Sequence, residues 1–204
     1  PSAIRAPINP LTPRALTDEE VEAVIDDYAR AAMLAREAGY DGVELMGSEG
    51  YLINQFLVQR TNQRDDRWGG NVENRMRFPL EIIRRVRERA GDDFILIYRL
   101  SMLDLVEGGS DWPEVVQLAK AVEDAGANII NTGIGWHEAR VPTIASNVPQ
   151  AAFSGVTAKL RREVGIPVVA CNRINSPQGA EAVLAAGEAD LVSMARPFLA
   201  DPQF

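Results

Sequence analysis

The sequence is poor in cysteine and histidine, since each occurs once among 204 residues, as Cys171 and His137. A single cysteine cannot close a disulfide or build a cysteine metal site within the chain, which indicates a reducing compartment. No apolar run approaches the ~20 residues needed to cross a bilayer, and no signal-peptide pattern opens the sequence. We therefore expect a cytoplasmic protein with no metal site in this chain and no membrane partner.

Positive charge is also in deficit. Lys and Arg total 21 against 29 Asp and Glu, for a net charge of −8. This balance argues against a nucleic-acid partner, although a local basic patch stays open. With 46% apolar and 25% charged residues, the composition is that of an ordinary soluble globular chain and excludes disorder.

The chain lacks the Gly-x-Gly-x-x-Gly turn that a doubly wound dinucleotide fold needs after its first strand. Its apolar pattern nevertheless alternates between strands and helices, which is typical of a parallel α/β sheet. Thr17 and Glu20 predict a capping box at the start of the first helix, which ends at Gly39. Strands are predicted at residues 42–47, 94–100, 128–133, 166–170 and 189–194, and further helices at 75–90, 112–125, 153–164 and 177–186.

We interpret this pattern as a (β/α)8 barrel, with an open doubly wound sheet as the alternative. A full barrel has eight strands, so residues 1–204 are expected to be part of one barrel domain with about five of its eight units. The missing strands would come from a longer chain, because an open arc exposes apolar surface and two strand edges. We predict a polar loop through residue 70 after the first strand and no helix after the last.

Arginines follow three of the predicted strands at their carboxyl ends, where barrel enzymes carry their active sites. Arg99 ends the second strand and Arg196 follows the fifth. Arg173 follows the fourth, next to Asn172. Since a buried guanidinium needs an anion or several acceptors, this rim predicts an anionic ligand, with a phosphate near Arg196. An internal salt bridge of Arg99 and a rim-capping Arg196 are the alternatives.

A tyrosine and the histidine lie on the same rim. Tyr51 follows the first strand, and His137 follows the glycine-rich end of the third. Histidine suits proton transfer near neutral pH, and a phenol beside an imidazole would make a proton-donating pair that Glu49 could tune. A structural histidine, a packed loop tyrosine and a water-facing Glu49 are alternatives that the spacing leaves open.

The loop of residues 60–70 mixes both charges. We expect it to be solvated and internally paired. Contact of Arg60 with an anionic ligand is the alternative.

Six motifs resemble the flavin-dependent old yellow enzyme family, and together they extend over essentially the whole chain. They are GYDGVELMGSEGYLINQFL at residues 39–57, RDDRWGG at 64–70, NRMRF at 74–78, YRLSMLD at 98–104, NTGIGWHEAR at 131–140 and SMARPFLAD at 193–201. The last three are similar to the branch that reduces 2,4-dienoyl-CoA with NADPH. Other branches have a His-x-x-His or His-x-x-Asn pair where this chain has Met46 and Glu49, which argues against a simple enone reductase.

The resemblance implies roles for individual residues. Tyr51 would be the proton donor, His137 its partner and Glu49 the residue that modulates the pair. Five positions match flavin contacts, with Arg99 at the ring and the others at the FMN ribityl and phosphate region: Asn172, Arg173, Ala195 and Arg196. Five match acyl-CoA contacts: Arg60, His137, Glu138, Ala139 and Arg140.

The activity implied by the resemblance is reduction of a conjugated carbon–carbon double bond in 2,4-dienoyl-CoA, in the β-oxidation of unsaturated fatty acids. FMN would be bound here, whereas a 4Fe-4S cluster, FAD and NADPH would belong to other parts of a longer protein. Cys171 is expected to be a small buried strand residue and not a cluster ligand. A related ene-reductase or NADH oxidase, and a barrel fragment that binds no flavin, are the alternatives; the oligomeric state is open.

Overall fold

A computed structural model describes all residues, 1–204, and contains one five-stranded parallel sheet in the order β1-β2-β3-β4-β5. The strands are β1 (Gly42–Gly47), β2 (Ile95–Leu103), β3 (Ile129–Ile134), β4 (Val168–Ala170) and β5 (Leu191–Val192). The helices are α1 (Asp18–Glu37), α2 (Leu52–Leu57), α3 (Val72–Ala90), α4 (Trp112–Asp124), α5 (Ser154–Arg161), α6 (Pro177–Ala185) and α7 (Arg196–Ala200). All five predicted strands and all five predicted helices are confirmed, so the alternation that indicated an α/β fold is correct.

Strand β2 shows which face of the sheet the helices cover. Leu96, Tyr98 and Leu100 are fully buried against the helices, whereas Ile95, on the opposite face, is 42% exposed. The sheet is an open arc, with β1 and β5 each paired on one side only. The expected apolar exposure and open edges are therefore present, and the uncovered face is the one that lies inside a closed barrel.

Helix α1 begins at the predicted capping box. The Thr17 hydroxyl accepts from the main-chain N–H of Glu20 at 3.3 Å, and the Glu20 carboxylate accepts from the main-chain N–H of Thr17 at 2.9 Å. Apolar residues at helical spacing then face the core: Val21, Ile25, Ala29 and Ala32. This face packs against α3, and α1 also contacts β1.

The loop after β1 departs from expectation. It contains the short helix α2, because Ile53, Phe56 and Leu57 are apolar and buried. In residues 60–70 the predicted internal pair is present, since Arg64 donates to Asp66 at 3.0 Å. The loop is not simply solvated, however, as Trp68 is fully buried.

Two further expectations are corrected near the end of the sheet. A helix does follow the last strand, but no residue of α7 is buried, so it covers little of β5. Cys171 is buried, as expected, yet it lies one residue beyond β4 and not inside it. No helix is long and apolar enough to cross a membrane.

Candidate functional site

A cavity of about 740 Å³ lies at the carboxyl ends of the strands. Nine of the site residues that the sequence singled out line it: Glu49, Tyr51, Arg99, His137, Ala139, Asn172, Arg173, Ala195 and Arg196. These residues lie up to 147 positions apart in the chain, and the parallel sheet brings them together because the carboxyl ends of its strands share one edge. The rim predicted from the sequence is therefore a single site.

Glu49 holds His137 through its backbone. The Glu49 carbonyl accepts from the His137 main-chain N–H at 3.0 Å and lies 2.7 Å from the imidazole Nδ1. Because a carbonyl only accepts, Nδ1 carries the proton and Nε2 is left for other partners. Glu49 thus positions His137 through its main-chain carbonyl. The sequence had suggested a role only for the Glu49 side chain.

The turn after β1 brings these groups together. Glu49 has a φ of 64°, and Gly50 follows with a φ of 85°. A Cβ on Gly50 would stand 2.2 Å from His137 Nδ1 and 2.5 Å from Trp136 Cε2. Glycine is therefore needed here both for its backbone conformation and for the close approach of the imidazole.

Tyr51 stacks against His137. The two ring centroids are 5.5 Å apart and the planes differ by 11°. Trp136 stacks on His137 as well, at 5.9 Å and 17°. The phenol is half-exposed toward the cavity, so the structure brings together the tyrosine and histidine whose contact the spacing left open.

Arg99 is paired with Glu49. Its Nη2 donates to Glu49 Oε1 at 2.7 Å and its Nε donates to the same oxygen at 3.1 Å. The internal salt bridge considered for Arg99 is therefore present, but the pair lies in the cavity wall. The Cys171 thiol is 3.8 Å from Arg99 Nη2, and burial raises its pKa.

Arg173 and Arg196 differ from Arg99, because neither has a carboxylate partner. Arg196 Nη1 donates to the Ile144 carbonyl at 2.9 Å, and Arg173 Nε donates to the Val148 carbonyl at 2.8 Å. Asn172 and Arg173 both have a φ of 62°, a conformation that costs non-glycine residues of order 1 kcal/mol or more. The carboxyl ends of β4 and β5 thus present two cationic groups whose charges are not neutralised.

The residues expected to contact acyl-CoA divide between two cavities. Ala139 lines the first, Arg60 and Glu138 line a second of about 580 Å³, and His137 lines both. Arg60 Nη2 is 3.5 Å from Glu138 Oε2. Arg140 is exposed and lines neither cavity.

Sequence reasoning missed two parts of the cavity wall. Asn131 is buried within β3, and its Nδ2 donates to Glu44 at 2.7 Å. A polar side chain in an otherwise apolar strand was a signal that could have found it. The loop of residues 141–145 carried no such signal, because it has neither periodicity nor catalytic residue types.

Charged side chains in a cavity at the carboxyl ends of parallel strands are typical of enzymes built on a (β/α)8 barrel, of which this chain forms five units. The chain belongs to the NADH:flavin oxidoreductase / NADH oxidase family, whose sequence profile matches residues 1–204. Its fold is that of the old yellow enzymes, since an old yellow enzyme homologue of Zymomonas mobilis is 30% identical, with a TM-score of 0.77 over 95% of this chain and 53% of that one.

Several known proteins are similar to this chain. A metal reductase of Desulforamulus reducens is 44% identical over 100% of this chain and 30% of its own length. An NADH oxidase of Thermoanaerobacter brockii is 41% identical over 94% and 30%. A solved structure of 2-naphthoyl-CoA reductase with 2-naphthoyl-CoA is 36% identical, with a TM-score of 0.95 over 99% of this chain and 31% of that one. The chain thus spans about 30% of the length of these relatives.

Family membership implies FMN and a nicotinamide nucleotide as redox partners. The residues present fit FMN. The cavity lies within the usual size range of about 300–1,000 Å³ for ligand sites. Arg173 and Arg196, without carboxylate partners, are suitable donors to a phosphate.

Proposed function

We propose that this chain is the FMN-binding barrel part of a reductase that acts on a conjugated double bond of 2,4-dienoyl-CoA in the β-oxidation of unsaturated fatty acids. The observation that carries the proposal is the stacked Tyr51–His137 pair in a cavity with Arg99, Arg173 and Arg196. We expect the enzyme to act in the cytoplasm, and its 4Fe-4S cluster, FAD and NADPH to bind outside residues 1–204.

The tyrosine and histidine handle the proton of the reaction. The hydride added at the terminal carbon of the conjugated diene would be supplied by reduced FMN when it is bound. Tyr51 donates its hydroxyl proton to the internal carbon, which completes the addition of one hydride and one proton. His137, oriented by the Glu49 carbonyl, then helps to restore the proton on Tyr51.

Charge in the cavity supports the same reaction. Transfer of a hydride to a dienoyl thioester leaves negative charge on the substrate, which hydrogen-bond donors aimed at that charge stabilise. Arg99 is held in the wall by its pair with Glu49 and would lie at the flavin ring. Asn172, Ala195 and the two other arginines would hold the ribityl chain and the phosphate.

The two cavities suit a long substrate. His137 lies in the lining of both, so a thioester in the first cavity could extend its polar tail past His137 toward Arg60 in the second. The likeness to a 2-naphthoyl-CoA reductase supports a CoA thioester as the substrate class. Glu138, Ala139 and Arg140 would complete this contact region.

A second candidate is an NADH oxidase or a simple ene-reductase that uses the same flavin site. The 41% identity to the Thermoanaerobacter brockii NADH oxidase favours it. The two candidates differ in the electron acceptor, so turnover of the complete enzyme with a 2,4-dienoyl-CoA, a simple enone and oxygen separates them. We expect kcat/KM for the dienoyl-CoA to be the highest of the three; a higher value for either other acceptor would favour the second candidate.

The Tyr51→Phe variant tests the proton donor. We expect turnover of the dienoyl-CoA to fall by about 100-fold or more, since one general acid is removed, while FMN stays bound. Tyr40→Phe is the matched control, because Tyr40 is 68% exposed and lies away from the cavity. If Tyr51→Phe turns over at the rate of the unaltered enzyme, Tyr51 is not the proton donor.

A further inference from the structure

One wall of the first cavity is a loop with little core of its own. We name residues 138–151, between β3 and α5, the cavity-wall loop; its residues 139 and 141–145 line the cavity. Val141 and Ile144 are 51% and 54% exposed, and Val148 is the one buried residue of the loop. A segment that buries so little apolar surface needs other contacts to keep its position.

Those contacts come from the two arginines without carboxylate partners. Arg196 Nη1 donates to the Ile144 carbonyl at 2.9 Å. Arg173 Nε donates to the Val148 carbonyl at 2.8 Å, and its Nη2 lies 3.5 Å from the Ser146 carbonyl. Carbonyls at 144, 146 and 148 are thus held from the carboxyl ends of β4 and β5.

The backbone of Arg173 strengthens the same attachment. Its carbonyl accepts from the main-chain N–H of Ala151 at 3.0 Å. The residue is therefore bound to the loop by both side chain and main chain, and its left-handed φ of 62° accompanies that arrangement. Arg196, by contrast, reaches the loop through its side chain alone and is more exposed.

A guanidinium can serve two partners at once. It carries five N–H donors in a fixed plane, so one edge can bind a carbonyl while other donors bind a phosphate. A lysine ammonium keeps the positive charge but cannot present two separated edges. Arginine at these two positions therefore permits a link between the cofactor site and the opposite cavity wall.

We propose that Arg173 and Arg196 are positioning residues that clamp the cavity-wall loop, so that the groups that hold the FMN phosphate also set the position of the wall that contacts the substrate. The clamp follows from the hydrogen bonds above. Its effect on the substrate rests on the proposed function, because that function places Ala139 and Arg140 at the acyl-CoA. The loop begins immediately after His137, so its position also affects the histidine.

The test uses Arg173→Lys and Arg196→Lys in the complete, FMN-loaded enzyme, with Arg162→Lys as the matched control. Arg162 is exposed at the end of α5 and does not line the cavity. Hydrogen–deuterium exchange of peptides covering residues 138–151 reports the loop without turnover. We expect exchange about tenfold faster in Arg173→Lys, because its charge-assisted hydrogen bonds to the loop are lost. In Arg196→Lys we expect exchange about threefold faster, because Arg196 is exposed and its hydrogen bond therefore contributes less.

Steady-state kinetics with a 2,4-dienoyl-CoA provide the second measurement. With FMN supplied at saturation, we expect KM to rise several-fold in both lysine variants, by a larger factor than any fall in kcat. Loop exchange equal to that of the unaltered enzyme would overturn the clamp, and faster exchange with an unchanged KM would overturn its role at the substrate. If a variant loses FMN, hydrogen–deuterium exchange of the cavity-wall loop is measured at saturating FMN. Exchange that stays fast under those conditions supports the clamp, whereas exchange that returns to the rate of the unaltered enzyme contradicts it. Absence of dienoyl-CoA turnover in the unaltered enzyme would count against the proposed function and leave the exchange result intact.

Discussion

The two ends of the sheet differ in the amount of core beneath them. Strands β1, β2 and β3 have 6, 9 and 6 residues, and a cluster of 32 buried apolar residues lies mainly around them. Strands β4 and β5 have 3 and 2 residues, and a separate cluster of 4 buried residues packs beside them. The first end is deeply packed, whereas the second is thin.

The division matches the chemistry assigned to each end. Glu49, Tyr51 and His137 follow the deeply packed strands and Arg99 lies within β2, whereas Arg173 and its neighbours follow the thin ones. Proton and hydride transfer are sensitive to displacements of about 1 Å, so their groups need rigid support. A phosphate held by charge tolerates larger motion, because Coulomb energy changes slowly with distance.

The largest expected effect comes from matched core truncations. Ile82→Ala, in α3, should destabilise the first end by about 4 kcal/mol, because its fully buried site leaves a cavity that cannot collapse. Ile174→Ala, in the small cluster, should cost about 2 kcal/mol, because fewer neighbours lose contacts. Hydrogen exchange of the strand amides measures each end separately. Equal costs would show that the two ends share one cooperative core.

A smaller effect on stability, but a large one on turnover, is expected at the turn after β1. Gly50→Ala places a methyl group against His137 and Trp136, and displacement of the imidazole by about 1 Å should lower kcat about 100-fold. Gly39→Ala is the control, because Gly39 has a similar φ of 90° with no atom within 4 Å of a Cβ. It should reproduce the backbone strain of about 1 kcal/mol and leave kcat unchanged. Comparable kcat losses in both variants would assign the effect to strain and not to the histidine contact.

The smallest effect is electrostatic and concerns pH. The Arg14 guanidinium, followed by the Thr17 N–H, lowers the pKa of Glu20 from 4.5 to about 2. Because the pKa is lowered on folding, the carboxylate stabilises the fold above pH 4.5, and this contribution is lost as the pH falls toward 2. The pKa values of three aspartates at the same end are also lowered: Asp18, Asp66 and Asp93. Near β5, only the pKa of Asp190 is lowered.

The Glu20→Gln variant measures this contribution. Its unfolding midpoint should lie slightly below that of the unaltered protein at pH 7 and coincide with it near pH 2. High salt should shrink the difference, because the pair with Arg14 is exposed. A difference that grows as the pH falls would contradict the assigned sign.

Much of the site could be predicted because the carboxyl ends of all strands in a barrel lie on the same rim. Residues near those ends therefore come together, however far apart they are in the sequence. That rule places Arg99, His137 and Arg196 together without any knowledge of their contacts. The motifs then suggested a role for each residue. The α2 helix was missed because it is short and follows a run of polar and glycine residues, and the cavity-wall loop was missed because an irregular segment has no periodicity to detect.

The contacts inside the site could not be predicted in the same way. Histidine and tyrosine on one rim predicted a proton-donating pair, but only folding decides that their rings stack and that a backbone carbonyl orients the imidazole. Likewise, the three arginines that line the cavity acquire different partners: Arg99 binds a carboxylate, whereas Arg173 and Arg196 bind carbonyls.

The sequence by itself determined the α/β class, the strand ends that carry polar chemistry and the exclusion of a cysteine metal site, since periodicity and composition are properties of the chain. The tertiary structure alone decided which cations remain without a carboxylate, which end of the sheet is deeply packed and where the cavity-wall loop is held. Those outcomes depend on distances between segments that lie more than 20 residues apart in the chain. A change of a few ångströms in such a distance makes or breaks a hydrogen bond or an ion pair.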